Sequence, residues 1–491
     1  MKVKHILLQA LALFVFAAPT ARSQELETGY FLGGNPYAFR MNPAFQSERN
    51  IFSLALGGTG LGAWSNLGIS SLFYPGSNGY LYTFMSDRVS PEEFQRKIGQ
   101  NNRLNLDARV NVLTVGFWAD RRFFTVDLNV RSLNAVSAPY DLFDFLKGGS
   151  RSGGSFDFSG TGVRAKEFVE LAFGWSKNYD NVFNVGFRVK ALFGLAEGEI
   201  LAENMKLTMA SDRWEIQSRS VLNASSPSLV YKRDGEDLDI DSIDFGNDRF
   251  GLAGFGGAVD LGASWNVLPL LTLSAAVLDF GPMRWNREIQ GVSPETTYTW
   301  SPSDQQGSAS DTWEEEMDEA ASALSGIFRF KDHSGSGGKF EMLPFRVNLG
   351  AEYRMPFYER LSVGLLYQGR GGASFSRHMG RFSLNWNPLD FLSVSTGTTL
   401  SKMGQNIGFA LNLHPAGVNL LVGCDYIPFH TVDIAPLVKD VPYTIVPRDQ
   451  MKLNLYIGLN LALGRSRLNF KKEHSGFLEL PLEPVTEDDT E

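Results

Sequence analysis

The sequence predicts an all-β protein, a transmembrane antiparallel β-barrel of about 14 strands with short helices in its outer loops. Three observations lead there. Long arms alternate apolar and polar residues with a period of two, the arms join in hairpins whose connections are tight on one side and long on the other, and an export leader precedes them.

The stretch from Arg103 to Asn134 is the pattern that the rest repeats. Leu104, Leu106, Ala108, Val110 and Val112 alternate with Asn105, Asp107, Arg109 and Asn111, and Asp120-Arg121 then turns the chain into a return arm. There Phe124, Val126, Leu128 and Val130 oppose Thr125, Asp127, Asn129 and Arg131. Successive strand residues face opposite sides, so each arm has one apolar face and one face of amides and opposite charges. Each arm also reaches the roughly nine to eleven residues that a tilted strand needs to cross a bilayer. The apolar phase slips between Val112 and Leu113, as a β-bulge would make it do.

The leader occupies residues 1–23: Lys2, Lys4 and His5, an apolar run from Ile6 to Ala18, and small residues at Ala21-Arg22-Ser23 where cleavage would fall. No later stretch approaches the roughly eighteen apolar residues of a transmembrane helix. A mean hydropathy of -0.13 is compatible with a spanning barrel, where only alternate residues meet lipid. The net charge of -9 argues against nucleic acid as a partner. Cys424 is the single cysteine, so no intrachain disulfide or thiolate cluster can form.

Residues 24–50 hold two Asn-Pro steps, Asn35-Pro36 and Asn42-Pro43, and no sustained period, which predicts a compact periplasmic loop segment. The barrel is expected over 51–464, beginning with a strand at Ile51–Gly57. Ser90, Pro91 and Glu93 form the N-cap, N1 and capping-box positions of a short helix that Gly99 would stop. Further hairpins turn near 178–181, Pro269, Pro356, Asn387-Pro388 and 415–417, and KLNLYIGLNLALG supplies the last strand. The long connections, roughly 60–103, 135–166, 195–253, 281–342 and 427–451, then fall on the outer side, with both termini in the periplasm. A soluble exported sandwich or propeller would also alternate, but with shorter strands and more even turns. Two outer connections contain helical patterns, Asp141–Lys147 and Thr312–Ser325; the second carries an apolar stripe that would pack on neighbouring loops or act as a lid or partner-binding face.

Catalytic motifs are absent: there is no phosphate-binding loop, nucleophile elbow or His-Glu-x-x-His. His378 beside Ser374 and Ser376, or His430 near Asp433, could form a dyad, against the plainer reading of rim residues; no enzyme activity and no cofactor are expected. The acidic stretch at 234–248 places Asp237, Asp239 and Asp241 at the one-three-five spacing of a calcium loop with Asp248 at position twelve. Ser242 stands where that loop needs glycine, so a weak Ca²⁺ site competes with a solvated acidic loop.

The polar phase of the strands assigns Asp107, Arg109, Asp127, Arg131, Glu170, Arg188, Lys190, Asp260, Arg346 and Glu352 to the lumen. Mixed signs predict ion-paired networks that fill or narrow it, whether or not they meet a substrate. The N-terminal segment before the first strand is then what would block the lumen.

A leader, a compact segment with Asn42, Pro43 and Ala44 just before strand one, and about fourteen strands together resemble the FadL-type long-chain fatty-acid transporter group, which includes the PorV-like proteins of Bacteroidota secretion systems. The segment GGNPYAFRMNPAF looks more closely like an uncharacterised, domain-of-unknown-function family of Bacteroidota outer-membrane proteins. The resemblance implies a hatch within the lumen, onto which Asn42, Pro43 and Ala44 carry over. Two departures stand out: this lumen is charged where such transporters use apolar pockets, and an acidic tail, 465–491, continues past the last strand.

Two functions follow as expectations for a protein of the bacterial outer membrane, in contact with its lipids and lipopolysaccharide. Passive transport of a small hydrophobic ligand predicts an apolar pocket built jointly by the loops and the hatch residues Tyr30, Phe31, Phe39 and Phe45. A non-transporting scaffold that binds protein partners through its outer loops and tail predicts a lumen sealed by charge pairs.

Overall fold

The computed structural model describes residues 25–464 except 76–80, 85, 87, 149–153, 211–213, 246–250, 287–288, 294–295, 301–329, 335–336, 373–375, 402–403, 428–430, 434–444 and 448–449. The leader, the tail, the predicted helix Thr312–Ser325, Ser374, His430 and Asp248 therefore lie outside the described residues.

A closed, antiparallel 14-strand barrel forms the wall. Strand β1 is in two halves, Asn50–Leu54 and Thr59–Gly68, which both pair with the second and the last strands and so close the cylinder. Around the wall follow β2 (Asn101–Ala119), β3 (Arg122–Pro139), β4 (Gly162–Tyr179), β5 (Phe183–Met209), β6 (Gly254–Leu268) and β7 (Leu271–Phe280). The second half comprises β8 (Arg346–Met355), β9 (Tyr358–Arg370), β10 (Arg377–Leu389), β11 (Leu392–Ser401), β12 (Gly404–Leu413), β13 (Gly417–Ile427) and β14 (Gln450–Leu463). At one end the turns are tight, at 120–121, 180–182, 269–270, 356–357, 390–391 and 414–416. The turn expected at Asn387-Pro388 falls at 390–391 instead, because a bulge between Trp386 and Leu389 absorbs that pair inside the ladder.

The faces are inverted relative to a soluble protein. On β3 the buried positions are Thr125, Asp127, Asn129 and Arg131, and the apolar positions between them are the more exposed set. Phe173, Leu261, Leu365, Phe382 and Leu461 all point outward and are exposed. Aromatics gather near the tight turns, where Trp265, Tyr353, Phe357, Trp386 and Phe391 are exposed, the placement of an interfacial girdle.

The phase slip in β2 is a bulge. Asn111 pairs with Asn129 and Leu113 with Leu128, leaving Val112 unpaired against β3. On its other edge the Val112 carbonyl accepts from the Ala55 amide, at the break between the halves of β1, where Ala55 has φ 63°. The extra residue lets Asn111 and Thr114, both fully buried, face the lumen together. The expected first strand, Ile51–Gly57, therefore resumes after the break and runs on to Gly68.

The outer end is more regular than its loops were expected to be. Strand β5 has 27 residues, a contour of about 90 Å at the usual rise, and its far half leaves β6 to pair with Trp214–Ser225. That strand pairs in turn with Ile289–Val292 and Thr296–Trp300, while Pro282–Trp285 and Lys339–Met342 prolong the ladder between β7 and β8. The described parts of 195–253 and 281–342 are thus largely a crown of strands. Three short helices lie at this end among the described residues: Ile69–Leu72, Pro91–Gln95, whose Ser90 hydroxyl accepts from the Glu93 amide at 3.1 Å, and Tyr140–Gly148.

Because Val112 occupies a bulge, deleting it leaves the alternation on both sides intact, and the barrel is expected to form. Deleting Val126, in plain register on β3, would turn Asp127 or its neighbours outward at a cost of roughly 2 kcal/mol or more per charge in lipid. Heat-modifiable migration on gels should persist for the first deletion and vanish for the second; the reverse order would refute the bulge assignment.

Candidate functional site: a plugged, ion-paired lumen

Residues 25–49 lie inside the barrel. Two short 3-10 turns, Glu27–Gly29 and Ala38–Arg40, are its only helical pieces, and each Asn-Pro step makes a side-chain turn. The Asn35 Oδ1 accepts from the Tyr37 amide and the Asn42 Oδ1 from the Ala44 amide, both at 3.0 Å, which holds the chain compact without a ladder. The wall supplies partners for backbone carbonyls that such a segment leaves open. Asn348, Asn412, Asn419 and Asn454 donate to the carbonyls of Met41, Gly33, Gly34 and Glu25 at 2.8–3.2 Å.

Glycines in the wall make room. A Cβ at Gly262 would come within 2.1 Å of the Asn42 Oδ1, and one at Gly186 within 2.1 Å of the Pro43 carbonyl. Gly364, Gly408, Gly423 and Gly458 similarly face Phe31, Thr28, Leu26 and Tyr37 of the plug. Asn42 also donates to the carbonyls of Ala263 and Ala275, so the Asn-Pro-Ala step is the corner by which the plug sits against β6 and β7.

Charge fixes the plug more firmly. Arg40, 0% exposed, donates from Nη2 to Asp127 at 2.9 Å and to the Thr114 hydroxyl at 2.8 Å, and from Nη1 to the Gly58 carbonyl at 3.1 Å. Glu25 pairs with Arg109, and Glu27 with Arg377 at 2.7 Å and Arg381 at 3.5 Å. In the opposite sense, Asp425 of β13 accepts from the amides of Glu27 and Thr28 at 2.8 and 2.7 Å. Burial alone favours neutral groups, so charges at this depth persist through their pairing.

The lumen residues expected from the polar phase come together in this network, with one exception. Arg188 bridges Asp127 (2.5 Å) and Asp260 (3.3 Å), Lys190 reaches Asp260 (2.8 Å) and Asp279 (2.5 Å), and Arg131 reaches Glu170 (2.7 Å) and Asp279 (2.9 Å). Asp107 pairs with Arg370, and Arg346 with Asp279. Glu352 sits half-buried near the tight turns, accepts from Ser362 at 2.7 Å, and joins none of the ion pairs among the described residues.

Sequence reasoning missed Glu25, Glu27, Arg40, Asp279, Arg370, Arg377, Arg381 and Asp425. Asp279 and Asp425 lie at register shifts, between β6 and β7 and between β12 and β13, which break the alternation used to find inward positions. Arg370, Arg377 and Arg381 fall on strand portions that continue beyond their apolar runs, and Glu25, Glu27 and Arg40 lie in the aperiodic plug.

Beyond the network the lumen closes again. Phe168, Leu192, Met283 and Trp285 form a buried apolar layer, and a second charged belt joins Lys166 to Glu341 (2.5 Å) and Lys339 to Glu199 (2.6 Å). Of the aromatics expected to line an apolar pocket, Tyr30 lies edge-on to Phe31 and Phe45 at 4.8 and 5.2 Å, and Phe39 lies edge-on to Phe123 of the wall at 6.4 Å.

The described part of the acidic stretch is a strand. Asp237–Phe245 is a β-strand hairpinned to Leu229–Asp234, so Asp237, Asp239 and Asp241 are spread along extended backbone, where a loop would wrap its ligands around the ion. His378 is exposed on the outer face, its ring 2.8 Å from the Tyr367 hydroxyl, pointing away from the lumen.

Fold and site together define a closed barrel whose N-terminal segment plugs it through buried ion pairs. The chain belongs to DUF5723, a family of unknown function, whose pattern matches residues 43–425. No curated protein sequence matches it. Among solved structures it is similar to the Ralstonia pickettii toluene transporter TbuX, at 9% identity over 87% of this chain and 94% of that one, with a TM-score of 0.41. A Pseudomonas aeruginosa FadL homologue is 12% identical over 89% and 97%, with a TM-score of 0.39. The Pseudomonas putida toluene transporter TodX is 8% identical over 90% and 96%, also at 0.39. These likenesses are too distant to bear on substrate or mechanism.

Replacing Arg40 with Ala strands Asp127 in the lumen with Arg188 as its remaining cation. A loss of roughly 3–5 kcal/mol is expected, read as a lower denaturation midpoint of the detergent-solubilised barrel, together with protease cleavage within 25–49. An unchanged midpoint would mean that the plug is not held by this pair.

Proposed function

We propose that this protein is a barrel of the bacterial outer membrane that rests with its lumen sealed and works through its outer crown as a binding scaffold. The outward apolar face and the aromatic ring near the tight turns support the membrane assignment. A single observation carries the sealed state: Arg40 is pinned to β3 while Glu27 is held by β10 and β13, so the plug is tied by buried charges across the barrel. Moving it aside would break several such pairs, each costing several kcal/mol when one partner is left alone.

Transport of a small hydrophobic molecule is the second reading. It called for an apolar pocket at Tyr30, Phe31, Phe39 and Phe45; Tyr30, Phe31 and Phe45 pack on one another, and Phe39 packs on Phe123 at the edge of a small cavity. Small cavities border the plug: one is ringed by arginines and carboxylates, and another lies between Phe39, Pro43 and Trp175. A conduit for such a ligand would therefore need the plug to rearrange.

Planar-bilayer recordings of the intact protein should give no standing conductance, whereas Arg40→Ala should admit ions. Uptake of a hydrophobic fluorescent probe into proteoliposomes should be the same for wild type and for Phe31→Ala/Phe45→Ala. Probe uptake that depends on those rings would replace the scaffold reading with transport.

A further inference from the structure

Among the described residues the buried network holds one more cation than carboxylate, and the surplus lies beside a cavity. Traced from pair to pair, Arg40, Arg109, Arg131, Arg188, Lys190 and Arg346 meet Glu25, Asp127, Glu170, Asp260 and Asp279. Arg370 and Asp107 add a neutral pair alongside. Asp279 is overcommitted, since Arg131, Lys190 and Arg346 all draw on its two oxygens. Arg346 is the poorest served of the three: its Nη2 stands 3.2 Å from Asp279, and its Nε has no hydrogen-bond partner among the described residues although the residue is only 6% exposed.

Arg346 does not stand alone. With Arg109, Arg131 and Arg370 it lines a small cavity, on the crown side of the plug, whose acidic walls among the described residues are Glu25 and Asp107. Both acids already serve Arg109 and Arg370. Four guanidinium groups converging on one space, with Arg346 sharing its single carboxylate with two other cations, are the donor set that recognises planar or tetrahedral oxyanions by paired N–H groups.

We propose that this cavity binds a single small oxyanion, of carboxylate or phosphate chemistry, which supplies the missing negative charge between Arg346 and its three neighbours. The site goes beyond the sealed-scaffold reading, and it completes the network whether or not the plug ever moves. Arg346 is its specific determinant. Removing this cation balances the remaining charges, so the variant should fold where loss of a carboxylate would not be tolerated.

The test uses the full mature chain in detergent, titrated calorimetrically with sodium phosphate or sodium acetate at constant ionic strength made up with chloride. Saturable one-to-one binding is expected, weakened at least about tenfold by Arg346→Gln and retained by Arg346→Lys. Arg360→Gln, exposed near the start of β9, should match wild type. Heat-modifiable migration of Arg346→Gln establishes that it is folded. Native mass spectrometry of protein taken gently from membranes separates the sources: uptake of phosphate or acetate alone marks a free anion, and a co-purifying phosphate-bearing lipid lost in Arg346→Gln marks a headgroup. Either result supports the site. Absence of saturable binding together with absence of any such lipid overturns it, as does equal binding by wild type and Arg346→Gln. The readout is binding and not conductance, so it fails or stands apart from the sealed-lumen reading.

Discussion

Asp127 is the interaction on which the interior depends. Fully buried on β3, it accepts from Arg40 of the plug, from Arg188 of β5 and from Thr114 of β2. A carboxylate so placed would be intolerable alone; with these partners it becomes the point where two wall strands and the plug are defined relative to one another. From Arg188 the pairing passes through Asp260 to Lys190, then through Asp279 to Arg131 and Arg346. The register of the wall and the seat of the plug are thereby the same problem. A one-residue slip in any of these strands would carry a charge from the network into lipid.

That coupling explains why irregularities cluster where they do. The bulge at Val112 aligns Asn111 and Thr114 inward beside the Arg40 pair, and the break in β1 faces it, with the Gly58 carbonyl turned to Arg40. The shifts near Asp279 and Asp425 serve the same end, each bringing a carboxylate to bear on cations or on plug amides. Bulges re-aim side chains at a cost in ladder regularity, and here the cost falls where the plug is held.

The wall was largely legible in the sequence because a membrane barrel must alternate along every strand, and runs such as Val126 to Val130 or Leu453 to Leu463 do so without interruption. The inward charges on those runs were legible for the same reason. Asp279 and Asp425 were not, since a bulge reverses parity locally and only a partner strand reveals it. Nor did the sequence disclose the role of its glycines. Gly186, Gly262 and Gly458 look like any other strand glycines until Pro43, Asn42 and Tyr37 are seen against them. The crown escaped for a different reason: outside the bilayer a strand needs no apolar face, so residues 195–209 carry little period to read.

The plug and the wall meet through two kinds of contact with different consequences. Glycine clearances and asparagine amides fix its shape and position, and both could be remade after a small displacement because amides and carbonyls recur along every strand. The ion pairs could not, because each buried cation has few carboxylates within reach. A plug held mainly by the first kind could slide; one held by the second opens all at once or stays shut. With Arg40, Glu25 and Glu27 anchored on β3, β2 and β10, opposite parts of the wall resist the same displacement, and any opening of this lumen must begin by neutralising or replacing a charge.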